Sequence, residues 1–327
     1  MSQKVEARIG VLLDVAESGG VCAVPGNRND YQAMLNRVGG SLVSPFPRQF
    51  ARRTWWLDLT EPERAVAVMR TLSQADRDWV FCSFSAAAAY GLWVSYRQLG
   101  IYHVVGRNGL TYRRGARVYQ HACPPGGLGG GRYMQRGVRV VGLVDAAVDC
   151  MLASPFPEAL AIADSVLRLY RLDHDEFARQ VDRLVFRRDG APVARLAAKY
   201  ANPLSESGGE SIARGIMIEA GFVEPRLQVE IEDPVMPGRP LRVDYYWELA
   251  DGSVVIGELD GLSKYTDERM RGGRSIAAVA RAERDRESRL TVGGRSVLRI
   301  ASWMLNQPEQ IIQLLDAYGV PRVNRRR

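Results

Sequence analysis

One stretch, LRVDYYWELADGSVVIGELDGLSKY at 241–265, limits what this chain can fold into more than any other. Two runs of alternating apolar and polar residues flank Ala250-Asp251-Gly252, which suits a three-residue hairpin loop with glycine where φ must be positive. Partners across such a hairpin have numbers summing to 502, which sets Asp244 opposite Glu258. Period-two alternation sorts the side chains. Arg242, Asp244, Tyr246, Glu248, Val254, Ile256, Glu258 and Asp260 share one face; Val243, Tyr245, Trp247, Leu249, Val255, Gly257 and Leu259 form an apolar one. Like charges held opposite each other cost stability. The sheet therefore calls for a compensating cation, and a divalent metal is the obvious candidate.

The chain has 327 residues, long for a single core, so two or three domains are expected. Apolar content of 46% and charged content of 25% are those of an ordinary globular protein. No apolar run approaches the roughly 20 residues of a membrane helix, and MSQKVEARIG lacks a signal-peptide pattern, so a cytoplasmic protein without membrane contact is expected. Four cysteines stand far apart without a CxxC pair, which favours reduced, buried thiols. Net charge is +7: residues 205–327 hold 18 Lys+Arg against 19 Asp+Glu, leaving 26 against 18 for residues 1–204. Excess positive charge in the first two thirds fits a nucleic-acid partner. It fits a solvated arginine-rich surface equally well.

Helical spacing predicts helices over 4–17 and 28–38, the second capped by Asn29 or Asp30 and ended by Gly39-Gly40. SLVSPFPRQFARRTWWLDL reads as a proline-interrupted turn followed by a basic strand. Helix, short link, helix and basic wing is the order of a winged helix-turn-helix over 1–60. Thr60-Glu61-Pro62-Glu63 starts a further helix to about residue 75. Strands near 99–106, 116–122 and 137–144 and helices at 145–153, 156–171, 174–186 and 190–200 complete an α/β middle domain over 61–200. Residues 204–320 then read α-β-β-β-α-β-α, and 321–327 a basic tail. The fold class expected is α/β, in the sense of an α+β multi-domain chain. GGLGGG at 126–131 lacks a following GKS or GKT and reads as a linker.

Glu210 lies on the helix before the sheet, and Asp244, Glu258 and Asp260 on the two strands after it. An oxygen-rich cluster suits Mg²⁺ or Mn²⁺, which lowers the pKa of a bound water and offsets phosphate charge. Lys264 follows the second strand, where an ammonium can orient water. His103, His121 and His174 are scattered without HxH or HExxH spacing, and no serine elbow or Cys-His arrangement is present.

With these residues in place, the C-terminal part resembles the PD-(D/E)XK nuclease superfamily, in its branch similar to the very short patch repair endonucleases. GELDGLSKY is similar to that branch's E-x-D-G-x-x-K/H-Y pattern, AERDRESRL to its following helix and VLRIASW to its closing strand. The resemblance implies a restriction-endonuclease-like αβββαβ domain. Glu210, Asp244 and Glu258 would hold metal, and Asp260 and Lys264 would assist catalysis. Gln228, Glu283, Arg286 and Glu287 would support them. Asp260 stands where the superfamily usually has lysine, which leaves Lys264 as a displaced substitute. The N-terminal part resembles AbiEi-type antitoxins through the 28–38 helix, GGSLV, Trp55-Trp56 and FSAAAAYGL. That resemblance implies a winged helix presenting Arg28, Gln32, Arg37, Arg48, Arg52 and Arg53 to DNA, and a partner toxin. The leading expectation is thus a DNA-binding protein with a metal-dependent phosphodiesterase domain. The rivals are an antitoxin or transcription regulator with an inactive nuclease fold, and a protein-interaction module with structural carboxylates.

Overall fold

A computed structural model of the protein describes residues 3–75, 79–106, 117–122, 133–260 and 276–323. The architecture is mixed α/β, as expected of an α+β multi-domain chain, and it divides into two compact units, Met1–Ala153 and Ser154–Arg327.

In the first unit, α1 (Gln3–Ser18) buries Ile9, Leu13 and Ala16 against Met34, Leu42 and Phe50. Helix α2 (Arg28–Leu35) is capped by Asn27, whose side chain accepts from the Asp30 N–H. Asn29 or Asp30 was the expected cap; Asp30 is instead buried and paired with Arg8, so tertiary contact takes its carboxylate. Strands β1 (Leu42–Phe46) and β2 (Gln49–Arg52) form an antiparallel hairpin, with Ala23 bridged to Phe50. The strand expected to reach Trp55-Trp56 stops at Arg52, and those tryptophans lie on a short helix, α3 (Arg53–Asp58). The Arg52 N–H turns to the Glu17 carboxylate and the Arg53 N–H to the Ser41 carbonyl, which ends the strand. Helix α4 (Glu61–Ala75) begins where Thr60 predicts, with the Thr60 N–H and hydroxyl both donating to Glu63. Helix α5 (Ser83–Tyr90) is buried on all sides, which its run of alanines permits. It packs against α6 (Leu143–Leu152), beside the parallel pair β3 (Tyr102–Gly106) and β4 (Val118–Ala122) and the antiparallel pair β5 (Tyr133–Gln135) and β6 (Val138–Val140).

The second unit opens with α7 (Phe156–Tyr170), α8 (His174–Leu184) and α9 (Ala191–Tyr200). The sequence assigns these helices to a middle domain ending at 200, whereas they belong to the C-terminal unit. The reason lies in α10 (Gly208–Glu219). Gly215 lets α7 approach so closely that a Cβ there would stand 2.6 Å from the Pro157 Cα. One residue earlier, Arg214 donates to both carboxylate oxygens of Asp164 on α7, at 2.8 and 2.9 Å, and to the Tyr200 carbonyl.

The sheet that follows has the order β10-β9-β8-β7, from β7 (Arg226–Ile231), β8 (Leu241–Glu248), β9 (Val254–Asp260) and β10 (Ser296–Ala301). The first three form an antiparallel meander, and β10 joins parallel to β9 after helix α11 (Ile276–Leu290). A last helix, α12 (Pro308–Ala317), completes the order read from the sequence. The hairpin keeps the predicted register, with Tyr245 opposite Gly257 and Glu248 opposite Val254, and Gly252 at φ +81°. One sheet face buries Tyr245, Trp247, Val255, Leu298 and Ile300 with Met217, Ile311 and Leu315. The other packs Tyr246, Val254, Ile256 and Val297 with Leu290 of α11.

Strict alternation fails at one level. Leu227 and Tyr245 belong to the first cluster, but Val229, Ile231, Leu241 and Val243 join the second, so Val243 does not share a cluster with Tyr245 as alternation requires. Gln228 has a left-handed backbone at φ +52°, and the β8–β9 pairs end at Tyr245 and Gly257. Both strands thus change sides at Gln228 and Asp244, two of the residues singled out from the sequence.

Candidate functional site

Glu210 is held by the start of its own helix. Ser207 caps α10 by accepting the Glu210 N–H, and its hydroxyl donates back to the Glu210 carboxylate at 2.7 Å, a local closure that S-x-x-E sequences favour. The Glu206 N–H donates to the second oxygen at 2.9 Å. From the other side of the α10 backbone, the Tyr245 hydroxyl donates to the Glu210 carbonyl. Burial raises the Glu210 carboxyl above the usual range; the Ser207 and Glu206 donors pull it down, and nearby Asp244 adds to the rise.

Gln228 connects this helix to the sheet. Its amide donates to Glu210 at 3.2 Å and to Asp244 at 3.4 Å. The other Asp244 oxygen accepts the Leu259 N–H at 2.9 Å, at the level where the strand ladder has ended. Glu258, one residue back on β9, accepts from Arg286 of α11 at 2.7 Å, and that guanidinium also reaches the Arg242 carbonyl. Only 14% of the Glu258 side chain is exposed. Burial raises its carboxyl, Arg286 opposes the rise and Asp244 reinforces it. Two carboxyls raised by burial and by the same neighbouring aspartate are a feature that clusters at functional sites.

Asp260 is drawn away from this cluster into an ion pair with Arg299 of β10, at 2.5 Å, and Arg299 also bonds Glu287 at 3.1 Å. Arg299 is the register partner of Glu258, and Glu283 of α11 lies close enough to act on its charge. The sequence reading overlooked Arg299, although a lone arginine between Leu298 and Ile300 in an apolar strand was a visible signal. Lys264 lies outside the described residues.

The donor set is all oxygen, which suits a hard divalent cation in kind. In this arrangement, however, the oxygens of Glu210, Asp244 and Glu258 accept from N–H and O–H groups. Among the described residues, no group of three or more His, Cys, Asp or Glu side chains is arranged to hold a metal ion.

Neither a scan of protein-family models nor searches of curated proteins and of solved structures finds a match to this chain.

In the first unit, Arg28 and Gln32 lie on the exposed side of α2, and Arg48, at the turn of the β1–β2 hairpin, stacks its guanidinium 5.7 Å from the Tyr31 ring. The other three arginines expected at DNA are engaged within the chain. Arg37 pairs with Glu6 at 2.5 Å, and Arg52 with Glu17 and Asp14 at 2.8 and 2.7 Å. Arg53 donates to the Gly39 carbonyl. Two of the histidines that look scattered in sequence meet across β3 and β4: His103 Nδ1 lies 2.8 Å from His121 Nε2, with ring centroids 5.1 Å apart. Those two distances set the rings end to end, as one N–H···N hydrogen bond requires. Burial and the facing His121 lower His103 to about 4. Parallel pairing of strands separated in sequence is what spacing rules could not see. Cys22, Cys82 and Cys150 are buried and in no disulfide among the described residues, and Cys123 lies outside them.

Proposed function

We propose that this chain is a DNA-binding protein whose C-terminal unit is a PD-(D/E)XK-like, metal-dependent phosphodiesterase. One observation carries the reading: helix α10 and the β7–β8–β9 meander bring Glu210, Gln228 and Asp244 into one hydrogen-bonded cluster, with Glu258 close enough to Asp244 to feel its charge. The αβββαβ order supports the resemblance drawn from the sequence. Glu210, Asp244 and Glu258 would hold Mg²⁺ or Mn²⁺ once Arg286 turned off Glu258. The metal, when bound, supplies an activated water and offsets phosphate charge. Arg286 and Arg299 place two guanidiniums next to Glu258, where they can orient a phosphodiester. Exposed Arg28, Gln32 and Arg48 form the face offered to DNA by the first unit.

The test is nicking of duplex and single-stranded DNA by the full chain with Mg²⁺ or Mn²⁺. Glu258→Ala is expected to abolish nicking while circular dichroism and thermal unfolding remain near wild type. Full retention of nicking by Glu258→Ala would sink the assignment.

A second reading has its own observation. Arginines hold both Glu258 and Asp260, and Asp260 replaces the superfamily's lysine. Such a site suits an antitoxin-like or transcription-regulating protein that keeps the fold without cleavage. Absence of nicking on every DNA substrate, with salt-dependent binding to its own promoter, would favour that reading.

A further inference from the structure

The Glu258 carboxylate already has a cation. Arg286 of α11 donates to it at 2.7 Å, with 14% of the Glu258 side chain and 29% of the Arg286 side chain exposed. Asp244 acts on the charge of both Glu258 and Glu210, so three carboxylates stand close together, and Arg286 is the guanidinium that meets them. One positive charge among three negative ones leaves the cluster acidic. What keeps these residues from being arranged for a divalent ion is therefore occupancy, since a metal and this guanidinium compete for the same carboxylate.

Two features make Arg286 the movable part. Its helix is fastened elsewhere: Leu290 is buried in the second cluster of the sheet, and Arg289 pairs with Asp233, which is 2% exposed and also accepts the Val235 and Met236 N–H groups. A change of Arg286 rotamer can free Glu258 while α11 stays in place. Arg299, the other guanidinium beside Glu258, is held by two carboxylates of its own, Asp260 and Glu287. Arg286 has only Glu258 among the described carboxylates, and its other partner is the Arg242 carbonyl.

We propose that Arg286 is a latch built into this site. It holds Glu258 in the resting chain, and it must swing out to solvent before the three carboxylates can hold a divalent cation. The inference rests on the phosphodiesterase reading for the nature of that cation, while its test follows binding and not cleavage. Two cations that exclude each other from one site lower each other's apparent affinity by the same factor. The latch therefore keeps metal affinity low, and removing the guanidinium raises it.

The experiment is titration of the full chain with Mn²⁺, the free ion being followed by electron paramagnetic resonance. Arg286→Gln should bind Mn²⁺ at least about tenfold more tightly than wild type. Arg286→Met, which keeps an apolar stem of similar reach, should tighten binding to the same extent. Arg226→Gln controls for charge alone, because Arg226 lies over the Tyr246 ring and makes no ion pair with a described residue. Its affinity should stay within about threefold of wild type. Thermal unfolding gives a second readout. Without metal, Arg286→Gln should melt below wild type, because Glu258 loses its partner, and the same Mn²⁺ concentration should raise its melting temperature by more. Equal Mn²⁺ affinity in wild type and both Arg286 variants would overturn the latch and leave the phosphodiesterase reading to its nicking assay. Equal tightening by Arg226→Gln would reduce the effect to net charge and overturn the latch as well. Mn²⁺ binding to none of these proteins would overturn the latch and the metal site together.

Discussion

Helix α10 meets carboxylates at two places, and they are built on opposite plans. At its middle, Arg214 and Asp164 are 3% and 0% exposed, and one terminal nitrogen of the guanidinium, Nη2, donates to both oxygens of one carboxylate. At its first turn, Glu210 is half-buried among an alcohol, a backbone N–H and an amide, with Asp244 close by. The first arrangement saturates one charge with one opposite charge and fastens α10 to α7. The second leaves carboxylates facing carboxylates, tied by neutral donors that a cation or proton can replace. Firm attachment of the middle of the helix is what allows its N-terminus to hold an unfavourable charge cluster in place.

The largest test of this contrast is Asp164→Ala, which strands a buried guanidinium. It should cost about 3–5 kcal/mol in chemical denaturation. A cost comparable to a surface substitution would break the contrast. Next comes Gly215→Ala, whose new methyl meets the Pro157 backbone at 2.6 Å. About 1–3 kcal/mol of lost stability is expected, because a backbone cannot swing aside as a side chain can. At the other end, Ser207→Ala removes the cap and one donor to Glu210. It should cost about 1 kcal/mol in stability, and should move the Glu210 carboxyl further upward in an NMR titration. The smallest effect is on pH dependence. Glu210 and Glu258 have raised folded-state values, so above the ordinary glutamate range the folded chain holds more protons than the unfolded one. Stability contributed by these groups therefore falls as pH climbs through that window. Glu258→Gln keeps an acceptor for Arg286 and should flatten the fall; an unchanged slope would place the titration elsewhere.

Local chemistry made much of this second unit legible in advance. Ala250-Asp251-Gly252 specified its turn, and the turn specified the register that sets Tyr245 against Gly257. The order αβββαβ followed from periodicity. Contacts between distant segments were not legible. The seat of α10 on α7 depends on Gly215 meeting Pro157, a pair with no local signature, and so the boundary expected at residue 200 was misplaced. Alternation placed Asp244 and Glu258 on one sheet face, yet could not foresee the left-handed backbone at Gln228 or the two arginines that claim Glu258 and Asp260. In the first unit, the helix-helix-hairpin order was readable, but the partners of Arg37 and Arg52 are side chains on α1, more than 30 residues away.

The hydrogen bond from the Leu259 N–H to Asp244 has a dynamic consequence. Neighbouring amides in β9 are shielded from solvent by carbonyls of adjoining strands, which open only when the sheet opens. The Leu259 amide is shielded by a carboxylate, and a carboxylate can be withdrawn while the sheet stays closed. Any cation or proton that takes the Asp244 oxygen leaves this one amide to exchange freely with water. A single peptide group, followed by hydrogen–deuterium exchange, thus reports the state of the carboxylate cluster without any substrate being known.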